Sequence, residues 1–304
     1  MSELLSFSFP PHTIHQGDVI DGLAAVPDQS VDLIFVDPPY NIGKKFGASH
    51  DRWPSEQAYL DWCYSWIDRC IQKLTAQGSM YLMASTQTMP WLDLYLRERM
   101  EILSRIVWSY DSSGVQARRY YGSLYEPILF AVKDKRNYVF NADAIAVEAP
   151  TGAKRRLIDY RKHPPEVYAS TKVPGNVWSF PRVRYRMPEY QQHPSQKPEA
   201  LLERILLASS HPGDTVLDPF AGSFTTAVVA QRLGRASIGI EREPAYVEAG
   251  RRRLMAAIGS APCTDAPLPA TIGRPRAIPG GTAAAPAAND ERKDGYGSGA
   301  RPGT

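Results

Sequence analysis

Val31-Asp32-Leu33-Ile34-Phe35-Val36-Asp37-Pro38-Pro39-Tyr40 joins two signals within ten residues. Its first six residues form a mostly apolar run of strand-forming types, the pattern of a strand buried on both faces of a parallel sheet. The run stops at two adjacent prolines, which lack the N–H that a ladder needs. Before it, Ile14-His15-Gln16-Gly17-Asp18 reads as a short strand ending at a Gly-Asp turn, with a helix over 19–26. After it, residues 55–74 place Tyr59, Leu60, Cys63, Ile67, Cys70, Ile71 and Leu74 at helical spacing, with Ser55 as N-cap. The pattern then predicts strands at 79–83, 104–108 and 128–132 and a helix at 89–100. Past residue 192 it predicts helices at 198–207, 225–233 and 246–256 and strands at 215–217 and 236–240. Strands alternating with helices point to an open α/β sheet.

Of the 304 residues, 43% are hydrophobic and 22% charged, which supports a sizeable core and excludes global disorder. Cys63, Cys70 and Cys263 have neither metal-ligand spacing nor a disulfide framework, so no metal is expected. Cys63 and Cys70 read as buried thiols on one helix. Few cysteines and no secretory segment suggest a cytoplasmic setting. No apolar run approaches the roughly 18–20 residues of a membrane span. Beyond Gly259 the composition turns to Pro, Ala and Gly, and 257–304 is expected to be a disordered tail. Trp62 and Trp66 read as core. His12, His15, His50, His163 and His211 have no partners at ligand spacing and read as surface or loop residues.

Residues 133–192 lose the alternation. Within 154–190 stand nine basic residues, among them Lys154, Arg155, Arg156, Arg182, Arg184 and Arg186, against three acidic ones. Tyr160, Tyr168, Trp178, Tyr185 and Tyr190 lie between these charges. Such a segment suits contact with phosphates, and a solvated charged face is the plainer alternative.

In open α/β sheets ligands bind beyond the carboxyl ends of the strands. Asp37-Pro38-Pro39-Tyr40 stands at such an end. A carboxylate and a nearby carbonyl can accept the two hydrogens of an amino group and aim its lone pair at an electrophile. An aromatic ring beside them can stack on a planar base. The plainer reading is a proline turn that ends a strand. A second motif, Asp218-Pro219-Phe220-Ala221-Gly222-Ser223-Phe224-Thr225-Thr226, runs from a strand end through a small-residue turn into a helix. It suits close approach of a nucleoside-type ligand, with an anionic group at the helix N-terminus. Glu241 ends the next strand 23 residues after Asp218, about where a ribose-binding acid belongs. An ordinary βαβ turn is the alternative.

Taken together, the two motifs resemble the β group of amino-methylating DNA methyltransferases (adenine-N6 or cytosine-N4), in which the catalytic tetrapeptide precedes the cofactor motif. Gly17-Asp18, Asp37-Pro38-Pro39-Tyr40-Asn41, His193-Pro194-Ser195-Gln196-Lys197-Pro198, Asp218 to Thr226 and Gly239-Ile240-Glu241 carry the resemblance, over about residues 12–256. Trp108 to Gln116 looks like the YhdJ-type adenine-specific enzymes. The resemblance implies a Rossmann-like S-adenosylmethionine-dependent methyltransferase sheet of circularly permuted motif order. Residues 12–132 would form its catalytic half, 133–192 an inserted target-recognition region, and 193–256 its cofactor-binding half. Asp37, Pro38, Pro39 and Tyr40 would hold the target base. Asp218, Phe220, Gly222 and Ser223 would line the cofactor site, Glu241 would bind its ribose and Asp18 its adenine. Lys197, Thr225 and Thr226 would stand near its amino-acid end. The segment containing Lys154, Arg155, Arg156, Arg182, Arg184 and Arg186 would contact DNA. The implied function is site-specific methylation of adenine N6 in double-stranded DNA by base flipping and direct transfer. Cytosine-N4 methylation is the alternative, although those relatives often carry Ser at the position of Asp37. A non-catalytic DNA-binding module is the reading from another class. A homodimer and a cognate restriction enzyme are left open as partners. Where the family commonly has a second glycine in the cofactor turn, this chain has Phe224.

Overall fold

The computed structural model describes residues 4–47, 49–110, 118–149 and 158–259. Nine strands form the main sheet: β1 (Leu5–Phe9), β2 (His12–Gln16), β3 (Val31–Val36), β4 (Leu74–Met83), β5 (Glu101–Ser109), β6 (Tyr125–Val132), β7 (Val177–Ser179), β8 (Thr215–Asp218) and β9 (Ala236–Glu241). Their spatial order is β1-β2-β9-β8-β3-β4-β6-β5-β7. The run β2-β9-β8-β3-β4 is parallel. β1 is antiparallel to β2, and β6 is antiparallel to both β4 and β5. Six helices flank the sheet: α1 (Val19–Ala25), α2 (Glu56–Lys73), α3 (Met89–Arg97), α4 (Glu199–Ser209), α5 (Thr225–Arg232) and α6 (Pro244–Gly259).

β3, apolar on both faces, sorts the core into two layers. Ile34 and Val36 pack with Leu23 of α1, Ile67 of α2 and Leu92 of α3. Leu33 and Phe35 pack with Leu202 and Ile205 of α4 and Val229 of α5. Each such side chain, fully buried, contributes roughly 1.5–3 kcal/mol. Ser55 caps α2 by accepting from the Ala58 N–H at 3.1 Å. The Asp32 carboxylate ties β3 to the start of β8, accepting from the Thr215 N–H at 3.0 Å.

Several details differ from the expectations. Residues Leu5–Phe9 form an added edge strand, β1, and Pro10 and Pro11 lie in the turn that joins it to β2. Segment 133–192, expected to lack the strand–helix alternation, contributes one strand to the main sheet. Val177–Ser179 join the sheet as β7, parallel to β5. Trp178 is buried there, and Arg204 lies 5.2 Å from its ring and 4.6 Å from that of Phe180. Trp178 therefore anchors the segment to the core instead of standing on its charged face. His12 and His15 are buried in β2. His12 is satisfied by Ser237 at 2.8 Å and Gln231 at 2.6 Å. α6 continues to Gly259, past the expected boundary at 257. Cys63 and Cys70 are buried free thiols. Residues 260–304, with Cys263, lie outside the described residues. Among the described residues no cluster could hold a metal ion, and no helix is long and apolar enough to cross a membrane.

Candidate active site

Asp37 leaves the carboxyl end of β3, and Asp218 ends the adjacent β8, the central strand of the parallel run, in the same direction. Two cavities meet beside Asp37. The larger, about 360 Å³, reaches from Asp18 to Glu241. The smaller, about 170 Å³, lies on the other side of Asp37, Pro38 and Pro39 and includes Tyr40, Glu126 and Lys197.

The larger cavity has aromatic walls and an acidic rim. Phe46, Trp62 and Phe220 contribute flat apolar surface, while Asp18, Asp37, Glu241 and Glu243 contribute carboxylates. Trp62 is thus half-buried in the wall, whereas Trp66 behind it is core. The Asp18 side chain caps α1 by accepting from the Ile20 N–H at 2.9 Å. Glu241 accepts from the Gly222 N–H at 2.9 Å and the Glu243 N–H at 2.7 Å. Burial pushes its carboxyl upward against the pull of these backbone donors.

The turn after β8 holds itself together through the residues assigned to it. Asp218 accepts from the Thr226 hydroxyl at 2.5 Å and the Phe220 N–H at 3.1 Å. Burial still raises its carboxyl to about 7. Ser223 and Thr225 hydroxyls lie 3.2 Å apart. Arg253 of α6 donates to the Ser223 carbonyl at 2.9 Å and to the Thr225 hydroxyl at 3.0 Å. Thr225 and Thr226 are therefore buried within the turn's own bonding. Gly222 has φ +50°, and a Cβ there would stand 2.9 Å from the His193 ring. Glycine is required by conformation and by that ring.

The smaller cavity contains a charge cluster. Lys197, expected near the amino-acid end of the cofactor, directs its ammonium at Asp37 Oδ2, 2.5 Å away. It also stands 3.6 Å from Glu126 Oε2. The Tyr40 hydroxyl lies 2.7 Å from Asp37 Oδ1 and 3.0 Å from Glu126 Oε2. Two carboxylates thus share one ammonium in a buried place. Burial raises the Asp37 carboxyl against the pull of Lys197, and Glu126 adds to the rise. Burial and the two carboxylates raise the Tyr40 phenol. Burial works against the Lys197 ammonium, but the two carboxylates outweigh it and keep it charged.

Asp51, which the sequence reading passed over, and Tyr59 hold the tetrapeptide backbone in place. Asp51 accepts from the backbone N–H groups of Tyr40 (3.2 Å), Ile42 (3.4 Å) and Lys44. The Tyr59 hydroxyl donates to the Pro39 carbonyl at 2.6 Å. His193 packs edge-on against Tyr246 at 4.5 Å. Burial and the cations Lys197 and Lys44 lower its imidazole to about 3, so it is neutral. Of the basic segment, Arg182 reaches the wall of the smaller cavity, 5.1 Å from the Tyr110 ring. Arg184 and Arg186 are exposed on the same stretch. Lys154, Arg155 and Arg156 lie outside the described residues.

The model of a family described as DNA methylase matches residues 31–252. The chain is 61% identical over 242 residues to the DNA adenine methyltransferase YhdJ of Escherichia coli (strain K12), covering 80% of this chain and 82% of that one. It is 34% identical to the type II methyltransferase M.HpaI of Haemophilus parainfluenzae, covering 78% and 72% of the two chains. Among solved structures, the M1.HpyAVI–SAM complex superposes with a TM-score of 0.54 at 27% identity, covering 80% of this chain and all of the other. The PvuII cytosine-N4-specific DNA methyltransferase shares the fold with a TM-score of 0.62 at 17% identity, covering 80% and 86%.

Proposed function

The chain belongs to the DNA methylase family, and from that premise we propose that it moves a methyl group from S-adenosylmethionine to the N6 amino group of adenine in double-stranded DNA. The observation that carries this reading is the position of Asp37, in the wall shared by a nucleoside-sized cleft and a smaller cavity. The larger cleft fits the cofactor by its chemistry. Its aromatic walls suit an adenine ring, its buried Glu241 carboxylate suits ribose hydroxyls, and its acidic rim suits a cation. Glu241, Asp18, Phe220 and Gly222 would hold the molecule there. S-adenosylmethionine, when bound, supplies an electrophilic methyl group on a sulfonium.

The chain's own part is orientation. Asp37 accepts a hydrogen from the amino group of an extruded base and turns its lone pair toward the larger cleft. This contribution is realised mostly in the transition state. The Tyr40 ring stacks on the base, and the Tyr59–Pro39 bond keeps the tetrapeptide backbone fixed. The direct attack of an amine requires no cysteine nucleophile. The buried Cys63 thiol is pushed up to about 12, which leaves it protonated and inert. Residues 133–192 are read as the target-recognition region. Their exposed Arg184 and Arg186 would face phosphates, while Arg182 stands at the base cavity. The relationship to type II methyltransferases leaves a cognate restriction enzyme and a homodimer as compatible partners.

Adenine is favoured over cytosine by Asp37 and by the name of the 61% identical relative; likeness to the cytosine-N4 enzyme is likeness of fold. The test is transfer of labelled methyl groups to DNA, with the product digested to nucleosides. N6-methyladenine is the expected product, and Asp37→Ala should abolish its formation while cofactor and DNA still bind. N4-methylcytosine as the product would overturn the choice of base. Near-normal turnover by Asp37→Ala would overturn the site.

A further inference from the structure

The smaller cavity is one hydrogen short. The Tyr40 hydroxyl faces two acceptors, Asp37 Oδ1 at 2.7 Å and Glu126 Oε2 at 3.0 Å. A phenol carries one hydrogen and an ionised carboxylate carries none. Only one of the two contacts can hold a hydrogen at a time, and the other sets a carboxylate against phenol lone pairs. Lys197 does not fill the gap. Its ammonium donates to Asp37 Oδ2 at 2.5 Å and to the Ser195 carbonyl at 3.3 Å. At 3.6 Å from Glu126 Oε2 it is beyond good hydrogen-bond reach. The deficit therefore sits between Asp37 Oδ1, Tyr40 and Glu126. An exocyclic amino group entering this cavity brings two N–H hydrogens, and a keto oxygen brings none.

We propose that Glu126 is a positioning residue for methyl transfer: it takes over the Tyr40 hydroxyl hydrogen as the target base enters, which releases Asp37 Oδ1 to accept a hydrogen from the base's amino group. The proposal rests on the reading of Asp37 given above. No heavy atom has to travel, because Glu126 Oε2 is already within reach and the hydroxyl has only to rotate about its C–O bond. Glu126 competes well for the hydrogen. Asp37 shares its charge with Lys197 through a short bond, whereas Glu126 is only loosely approached by that ammonium. The surplus negative charge also selects the ligand. It favours a base edge that presents hydrogens and opposes one that presents lone pairs, so the arrangement discriminates amino from keto bases at the point of capture.

The topology explains why the carboxylate stands there. β6 runs antiparallel to β4, so the beginning of β6 lies beside the carboxyl ends of the parallel strands. Glu126, second residue of β6, thereby reaches the same rim as Asp37. Its side chain is 17% exposed, against 13% for Asp37 and 8% for Lys197. A carboxylate this enclosed needs a hydrogen-bond donor, and the Tyr40 hydroxyl is the one placed to serve it.

The experiment is a double-mutant cycle on the full chain with saturating S-adenosylmethionine and a DNA duplex substrate. Glu126→Gln keeps the shape but weakens the acceptor, so the phenol hydrogen stays on Asp37. Its kcat should fall about tenfold, with KM for DNA and cofactor affinity within about twofold of wild type. In the Tyr40→Phe background there is no hydrogen to hand over. There the same substitution should change kcat by less than about threefold. An equal loss in both backgrounds, or a wild-type-like kcat for Glu126→Gln alone, would overturn the proposal. Should Glu126→Gln fail to fold, Glu126→Asp serves the same cycle, being charged but one methylene short of Tyr40. Asp37→Ala run alongside separates the two levels of argument. An active Asp37→Ala sinks the site itself. An inactive Asp37→Ala beside an unimpaired Glu126→Gln sinks only the role of Glu126.

Discussion

Phe224 occupies a position where glycine would be the conformational choice, and replacing it with glycine should nevertheless destabilise the protein. Its backbone is left-handed, φ 59° and ψ 31°, at the N-cap of α5. For a residue with a Cβ that conformation costs about 1–2 kcal/mol. The ring compensates. It is 0% exposed and packs with Ile14, Ala221, Val247 and Leu254. It also fills the space over two glycines. A Cβ on Gly239 would stand 2.9 Å from Phe224 Cε1, and a Cβ on Gly250 would overlap the ring outright. Truncating a buried Phe to Ala costs about 3–5 kcal/mol, and Phe224→Ala keeps the backbone strain. Phe224→Gly loses the same ring but relieves the strain, so it should be more stable than Phe224→Ala by about 1 kcal/mol despite its smaller side chain. Both should lie below wild type. At about 2–4 °C per kcal/mol for a chain of this size, the alanine variant should melt about 6–20 °C lower. The contact with Gly250 gives a sharper sign. In wild type Gly250→Ala should destabilise by about 1–3 kcal/mol through overpacking. In the Phe224→Gly background the new methyl enters the void, and the helix gains about 1 kcal/mol from losing a glycine. Urea unfolding followed by circular dichroism measures all four variants. An alanine variant as stable as the glycine variant would refute the strain argument. A Gly250→Ala cost unchanged between backgrounds would refute the packing argument.

Two further outcomes follow from the electrostatics. Burial holds the Asp218 carboxyl at about 7, above its ordinary value of 3.8, so the ligand-free folded protein retains a proton that the unfolded chain has released. That residue's contribution to stability is therefore fully present below about pH 4 and is lost as pH rises from about 4 to 7, with a slope of at most about 1.4 kcal/mol per pH unit. Asp218→Asn should flatten this part of the stability–pH curve in urea melts, and superimposable slopes for the two proteins would exclude a raised carboxyl. If Arg182, Arg184 and Arg186 neutralise phosphates, the triple alanine variant should flatten the log–log salt dependence of DNA binding by up to about three units, one for each contact. An unaltered slope would place those side chains away from the DNA.

What the sequence discloses depends on whether the cause is local. The run Val31–Val36 and the prolines after it fix a strand end by backbone chemistry alone, and the structure begins and ends β3 there. Ser55 and the apolar spacing behind it likewise define α2. The Asp218 turn and Glu241 meet because neighbouring parallel strands end on the same rim, a rule that needs only the strand assignments. Glu126 was out of reach for a different reason. Glu126-Pro127 ahead of an apolar run looks like the entrance to any strand, and which end of the sheet it occupies depends on β6 running antiparallel to β4. The same holds for Trp178. Among nine basic residues it reads as part of a charged face, and only its pairing beside β5 turns it into core. Lys197 shows what a motif leaves open. It shares a small cavity with Asp218 and Gly222 of the turn after β8. Yet its ammonium goes to the strongest uncompensated charge within reach, the pair Asp37 and Glu126. A long flexible cation is placed by the field around it, and that field is assembled from β3, β6 and the segment before α4 only once the sheet is formed.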